Sequence, residues 1–173
     1  DFSAGEVLLE AGRVLTARDV GLAASMNLPW LAVRRKPRIA LLATGDEIVM
    51  PGDPIGPHQI ISSNAIALAS FIEASGGTAT DLGIAPDSAD ALRTMAEGAH
   101  GADMLVTSGG ASVGDHDLVQ RVLGDIGLEV DFWKIAMRPG KPLIFGHIGT
   151  TLLLGLPGNP VSAMVCAAIF LGP

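Results

Sequence analysis

Five short stretches of the chain gather residue types that bind anions or cations. Thr44-Gly-Asp-Glu47 closes one apolar run, Asp87 follows a second, and Ser108-Gly-Gly-Ala-Ser-Val-Gly114 closes a third, with Asp117 just beyond it. Lys134, Arg138 and Lys141 form a cationic group, and Pro157-Gly-Asn-Pro160 precedes the last apolar stretch. Carboxylates of Asp46, Glu47, Asp87 and Asp117 on one rim would repel each other unless a cation neutralised them, and an all-oxygen set suits a hard ion such as Mg²⁺. Taken singly, Asp87 reads equally as a helix cap and Asp46 as a turn residue. The loop from Ser108 through Gly109, Gly110 and Ser112 to Gly114 runs from a strand into a helix, where backbone N–H groups welcome phosphate. It is neither a Walker loop nor a G-x-G-x-x-G fingerprint, and a tight structural turn is the competing reading. Lys134 and Arg138 are four residues apart and share a face in either a strand or a helix, and Lys141 is stiffened by neighbouring Pro139 and Pro142. A solvated cationic surface is the alternative for these three.

Covalent catalysis has no candidate. There is no Ser-His-Asp spacing or nucleophile elbow, the histidines lack metal-ligand spacing, and Cys166 sits in an apolar helix as a small hydrophobe. A single cysteine makes neither an intramolecular disulfide nor a zinc cluster, which is compatible with a reducing compartment.

The elements that must position these groups follow from periodicity and punctuation. Arg38 to Thr44 reads as a buried strand, Asn64 as the cap of a helix to about Ala74, and Thr78 to Ile84 as a second strand. Asp87 is predicted to cap a helix to about His100, and Asp103 to Ser108 is a third strand. A helix from Asp115 to Ile126 is predicted next, then β character over Glu129 to Met137. A hairpin of Pro142 to Ile148 with Thr151 to Leu156 through Gly149-Thr150 leads to a helix over Val161 to Leu171. Such alternation demands a mostly parallel sheet with helices on both faces, a three-layer α/β/α sandwich whose ligand crevice lies beyond the strands' carboxyl ends. Residues 1–36 read as a connector from a preceding domain, with Thr16 capping a helix from Ala17 to Met26 and Asn27 in the left-handed stop position. Residues 37–173 form the α/β domain.

Composition excludes several classes. Hydrophobic residues make 49% and charged residues 17% of the 173, the reverse of a disordered chain. Between Ile39 and Trp133, fourteen Asp or Glu face two Arg, so nucleic acid would be repelled. The apolar stretch Val161 to Leu171 is half of a bilayer crossing, and no membrane span or signal peptide is expected. A start without methionine and a stop inside an apolar helix suggest a piece of a longer protein.

Read together, Thr44-Gly-Asp-Glu47, Ser62-Ser-Asn64, Thr107 to Gly114 with Asp117, Trp133-Lys to Lys141-Pro142 and Gly155-Leu-Pro-Gly-Asn-Pro-Val-Ser162 resemble the molybdopterin molybdenumtransferase family, the MoeA proteins and gephyrin E domain. The resemblance implies a MogA-like molybdopterin-binding fold. The activity it implies is insertion of molybdate into adenylylated molybdopterin (molybdopterin-AMP), with Mg²⁺-dependent release of AMP, in a cytoplasmic homodimer. By the same motifs, Glu47, Asp87, Asp117, Lys134 and Arg138 are the implied catalytic residues, and Asp46, Glu47, Asp87 and Asp117 the implied metal ligands. Thr44, Gly45, Asn64, Ser108, Gly109, Gly110, Ser112, Gly114, Lys141, Pro157 and Pro160 are implied to hold the pterin substrate. Two alternatives stand beside this: a MogA-like molybdopterin adenylyltransferase and a gephyrin-like interaction scaffold.

Overall fold

A strand buried on both faces needs helices above and below it, and β1 (Arg38–Thr44) is such a strand, with every residue after Arg38 buried. The structure, a computed structural model, describes residues 2–109 and 115–172; the side chains of residues 115–118 and 120 lie outside that description. Contacts divide the chain into two units, Asp1–Arg35 and Lys36–Pro173.

In the first unit, α1 (Ala17–Ser25) begins at a capping box. The Asp19 N–H donates to Thr16 Oγ1 at 3.4 Å, and the Thr16 N–H donates to Asp19 Oδ2 at 2.8 Å. Arg13 lies 2.9 Å from the same carboxylate. The hydrogen bond from the Thr16 backbone, more than the guanidinium, holds the Asp19 carboxyl below its ordinary value. Asn27 takes the expected left-handed conformation, with φ of 60°.

The second unit is built on a six-stranded sheet. Besides β1 its strands are β4 (Thr78–Ala85), β5 (Met104–Gly109), β6 (Leu128–Trp133), β7 (Ile144–Ile148) and β8 (Thr151–Leu156). They lie in the order β4-β1-β5-β8-β7-β6. The first four in that order run parallel, while β7 is antiparallel to both β8 and β6. The predicted hairpin is present: Ile148 pairs with Thr151 across Gly149-Thr150. Two-residue strands β2 (Ile48–Val49) and β3 (Ile60–Ile61) pair separately, and are too short to have a periodic signal.

Alternation along β1 separates two cores. Ala40 and Leu42 join Leu92, Val122, Leu123 and Leu153 on the side of α3 (Ala89–Glu97) and α4 (Asp115–Asp125). Ile39 and Leu41 join Leu68, Ile72, Leu154 and Cys166 on the side of α2 (Asn64–Ala74) and α5 (Pro160–Cys166). The three-layer expectation is met.

Four local expectations are corrected. Asn64 is the first helical residue of α2 and Ser63 the cap position, because the Asn64 side chain is drawn into a long-range bond described below. Ser88, not Asp87, caps α3, its Oγ accepting from the Ala91 N–H at 3.3 Å, and the helix stops at Glu97. The strand expected over Glu129 to Met137 ends at Trp133, since Lys134 turns into the left-handed region with φ of 63°. The last helix is α-helical only to Cys166 and continues as a π-helical turn over Ala167–Leu171.

Candidate functional site at the carboxyl ends of the parallel strands

Because β1, β5 and β8 are parallel and in register, their carboxyl ends at Thr44, Ser108 and Leu156-Pro157 arrive at one edge. A cavity of about 460 Å³ opens there, lined by Ala43, Glu47, Ser108, Gly109 and Pro142, and by Ser62 to Asn64 and Pro157 to Pro160. Asn64 Nδ2 donates to the Gly158 carbonyl at 2.8 Å, tying the start of α2 to the proline loop. Asn159 caps α5, its Oδ1 accepting from the Ser162 N–H at 3.1 Å, with Pro160 in the first turn where a missing N–H costs nothing. Gly109 is required by packing: a Cβ there would run into the Thr44 carbonyl oxygen of β1. Ile48, Ile60 and Ile61 add an apolar wall to the cavity. Sequence reasoning missed this wall; its only signal was an isolated apolar pair before Ser62-Ser-Asn64.

The acidic residues divide. The Ile60 N–H bonds to the Glu47 carbonyl at 2.8 Å, anchoring Glu47 beside β3 at the cavity. Asp46 turns instead toward Asp87. The Asp87 N–H donates to Asp46 Oδ1 at 3.0 Å and the Asp46 N–H to Asp87 Oδ2 at 3.4 Å, a reciprocal clasp that leaves each carboxylate a second oxygen. Gly45 adds a bond from its N–H to the Ala85 carbonyl at 3.2 Å, so the ends of β1 and β4 are laced together. Among the described residues no three His, Cys, Asp or Glu groups stand close enough to hold a metal ion. Those residues therefore do not by themselves make up the expected Mg²⁺ site. Gly110, Ser112 and Gly114 fall outside the described residues; Asp117 lies in α4 and its side chain is outside the description.

Thr44 is buried on the Leu42 side of β1, away from the cavity, and its hydroxyl has no hydrogen-bond partner among the described residues. Lys134, Arg138 and Lys141 stand on the loop between β6 and β7 and are exposed. They do not line the cavity, but the loop returns to it at Pro142. The Lys134 N–H bonds to the Leu143 carbonyl at 2.9 Å and the Ile135 N–H to the Lys141 carbonyl at 3.0 Å, so the base of the loop is closed beside that proline. No carboxylate among the described residues pairs with any of the three cations. Cys166 is buried, and burial pushes its thiol up, which keeps it from serving as a thiolate nucleophile.

A mostly parallel sheet with a cavity at its carboxyl edge, apolar-walled and carrying a few polar groups, is the architecture of an α/β ligand-binding domain. The family described as a probable molybdopterin binding domain matches residues 40–173, and the chain belongs to it. It is similar to the molybdopterin molybdenumtransferases of Nostoc sp., 38% identical over 99% of this chain and 40% of that protein, and of Haemophilus influenzae, 39% identical over 95% and 41%. The solved structure of the molybdopterin biosynthesis MoeA protein of Pyrococcus horikoshii superposes with a TM-score of 0.80 at 35% identity, over 91% of this chain and 39% of that one. The chain thus spans about 40% of the length of the curated relatives it matches.

Proposed function

We propose that this chain forms the molybdopterin-binding part of a molybdopterin molybdenumtransferase, an enzyme of molybdenum cofactor biosynthesis that places molybdate in adenylylated molybdopterin and releases AMP. The observation that supports it most is the cavity at the strand ends, which brings Glu47, Asn64, Ser108, Gly109, Pro157 and Pro160 together from four separate stretches of sequence. The Ser108 hydroxyl and the Gly109 amide suit a phosphate, and the hydrogen bond from the Asn64 carboxamide to the Gly158 carbonyl holds the proline loop in place. Lys134, Arg138 and Lys141, lacking acid partners among the described residues, suit molybdate and the charge that develops on phosphorus. An oxygen of water or molybdate attacks the pterin-side phosphorus of the pyrophosphate, and the P–O bond to the adenylate breaks with AMP as the leaving group, with no protein nucleophile. Magnesium is the metal this reading assigns to the acidic rim of Asp46, Glu47, Asp87 and Asp117, where it would neutralise charge on the pyrophosphate. The full-length protein is read as a cytoplasmic homodimer.

The test is AMP release from adenylylated molybdopterin by the full-length enzyme, with molybdate and Mg²⁺ titrated separately. Glu47→Gln should lower turnover at least tenfold while the protein keeps its thermal midpoint, because the substitution keeps size and removes charge. Normal turnover and normal Mg²⁺ dependence in this variant would refute the role of Glu47. ATP consumption in place of AMP release would identify an adenylyltransferase.

A further inference from the structure

Trp133 and Lys134 are sequence neighbours, and in a continuing strand their side chains would leave opposite faces of the sheet. Here they meet: Lys134 Nζ lies 3.9 Å from the centroid of the Trp133 ring. The cause is in the backbone, because β6 ends at Trp133 and Lys134 adopts φ of 63°, a region that residues carrying a Cβ rarely occupy. The two hydrogen bonds at the base of the loop, to Leu143 and Lys141, hold this conformation. An unusual backbone, an ammonium group without an acid partner among the described residues, and an aromatic face against it all fall on one side chain.

We propose that Trp133 is a positioning residue for Lys134. Its indole face holds the ammonium on the loop that returns to the cavity at Pro142, and the N–H donors that point away from the ring are left for an oxyanion of the molybdate or phosphate class. The inference rests on reading Lys134 as an anion-binding residue. A free lysine loses rotamer freedom when it grips an anion, and a side chain already confined against a ring loses less. Trp133 is 44% exposed, so its contact with the cation belongs to the weaker, solvated class, equivalent to a factor of about 2 to 5 in affinity.

The experiment measures molybdate binding by calorimetry and AMP release in the full-length enzyme for Trp133→Leu, Trp133→Phe, Lys134→Ala and the double variant Trp133→Leu/Lys134→Ala. Trp133→Leu should raise the half-saturating molybdate concentration about 2- to 5-fold, with KM changing more than kcat. Trp133→Phe should fall between wild type and Trp133→Leu, since phenylalanine keeps a π face. In the Lys134→Ala background, Trp133→Leu should add nothing. Unchanged or tighter binding in Trp133→Leu would overturn the inference, the latter because the ring would then be competing with the anion for the ammonium. A full Trp133→Leu effect persisting without Lys134 would overturn it too, by showing that the indole acts through packing of β6. If Lys134→Ala weakens molybdate binding while Trp133→Leu does not, only this inference falls; if Lys134→Ala has no effect, the anion-binding reading falls with it.

Discussion

The sulfur of Cys166 supports the cation-bearing loop from below. Gly140 has φ of 114°, and a Cβ built on it would sit 2.6 Å from Cys166 Sγ, so the Arg138-Pro-Gly-Lys141 turn rests directly on α5. Enlarging the support should lift the loop. Cys166→Val is expected to cost about 1 to 3 kcal/mol by overpacking, read as a lower denaturant midpoint, and to weaken molybdate binding with it. Asp19 makes a different kind of prediction. Its folded-state pKa is lowered by the Thr16 N–H, so the cap's contribution is complete above the ordinary carboxylate value near ~3.9 and is lost as pH falls through the lowered value. Protection of the first-turn amides of α1, measured by NMR on the whole chain relative to the intrinsic exchange rate at each pH, should therefore hold from neutral pH down to about pH 4 and fall below it. Asp19→Asn should lower the protection at pH 7 and abolish its change with pH. Thr16 was recognisable in the sequence as a cap and Cys166 as a small core residue, but the contact between Cys166 and Gly140 was not, because it spans two elements.

For the elements, the cavity depends on how α2 and α5 begin. One hydrogen bond, Asn64 to Gly158, connects the two starts across 94 positions of sequence. Asn64→Ala should cost about 1 kcal/mol in chemical unfolding and loosen the proline loop, with a rise in the half-saturating concentration of adenylylated molybdopterin. Asn159→Ala removes the α5 cap and should cost about 0.5 to 2 kcal/mol in the same measurement. The helices were legible to within a turn, whereas the capping residues were not always, for a physical reason. Ser63 and Asn64, like Asp87 and Ser88, are adjacent residues of equal capping ability, and tertiary bonds decide between them. Asn64 is taken by Gly158 and Asp87 by Asp46, leaving the neighbouring serine at each N-terminal position, where Ser88 caps through its hydroxyl and Ser63 makes no side-chain cap bond.

Across the whole molecule, the site exists only because β1 and β5 lie side by side in register. Gly109→Ala, which would drive a Cβ into the Thr44 carbonyl, should separate the two strand ends and produce the largest loss of stability among these substitutions, visible as a lowered thermal midpoint and loss of ligand binding. The sequence by itself determined the order of strands and helices, the hairpin at Gly149-Thr150, the layered class of fold and the polar ends of the strands. These follow from local properties: alternation, glycine and asparagine torsions, and cap chemistry within a few residues. The tertiary structure decided that β8 inserts beside β5, that Glu47 faces the cavity while its neighbour Asp46 clasps Asp87, and that Lys134 leaves the strand to meet Trp133. Such choices depend on register, close packing and hydrogen bonds between distant residues, whose free energies are set only once both partners are in place.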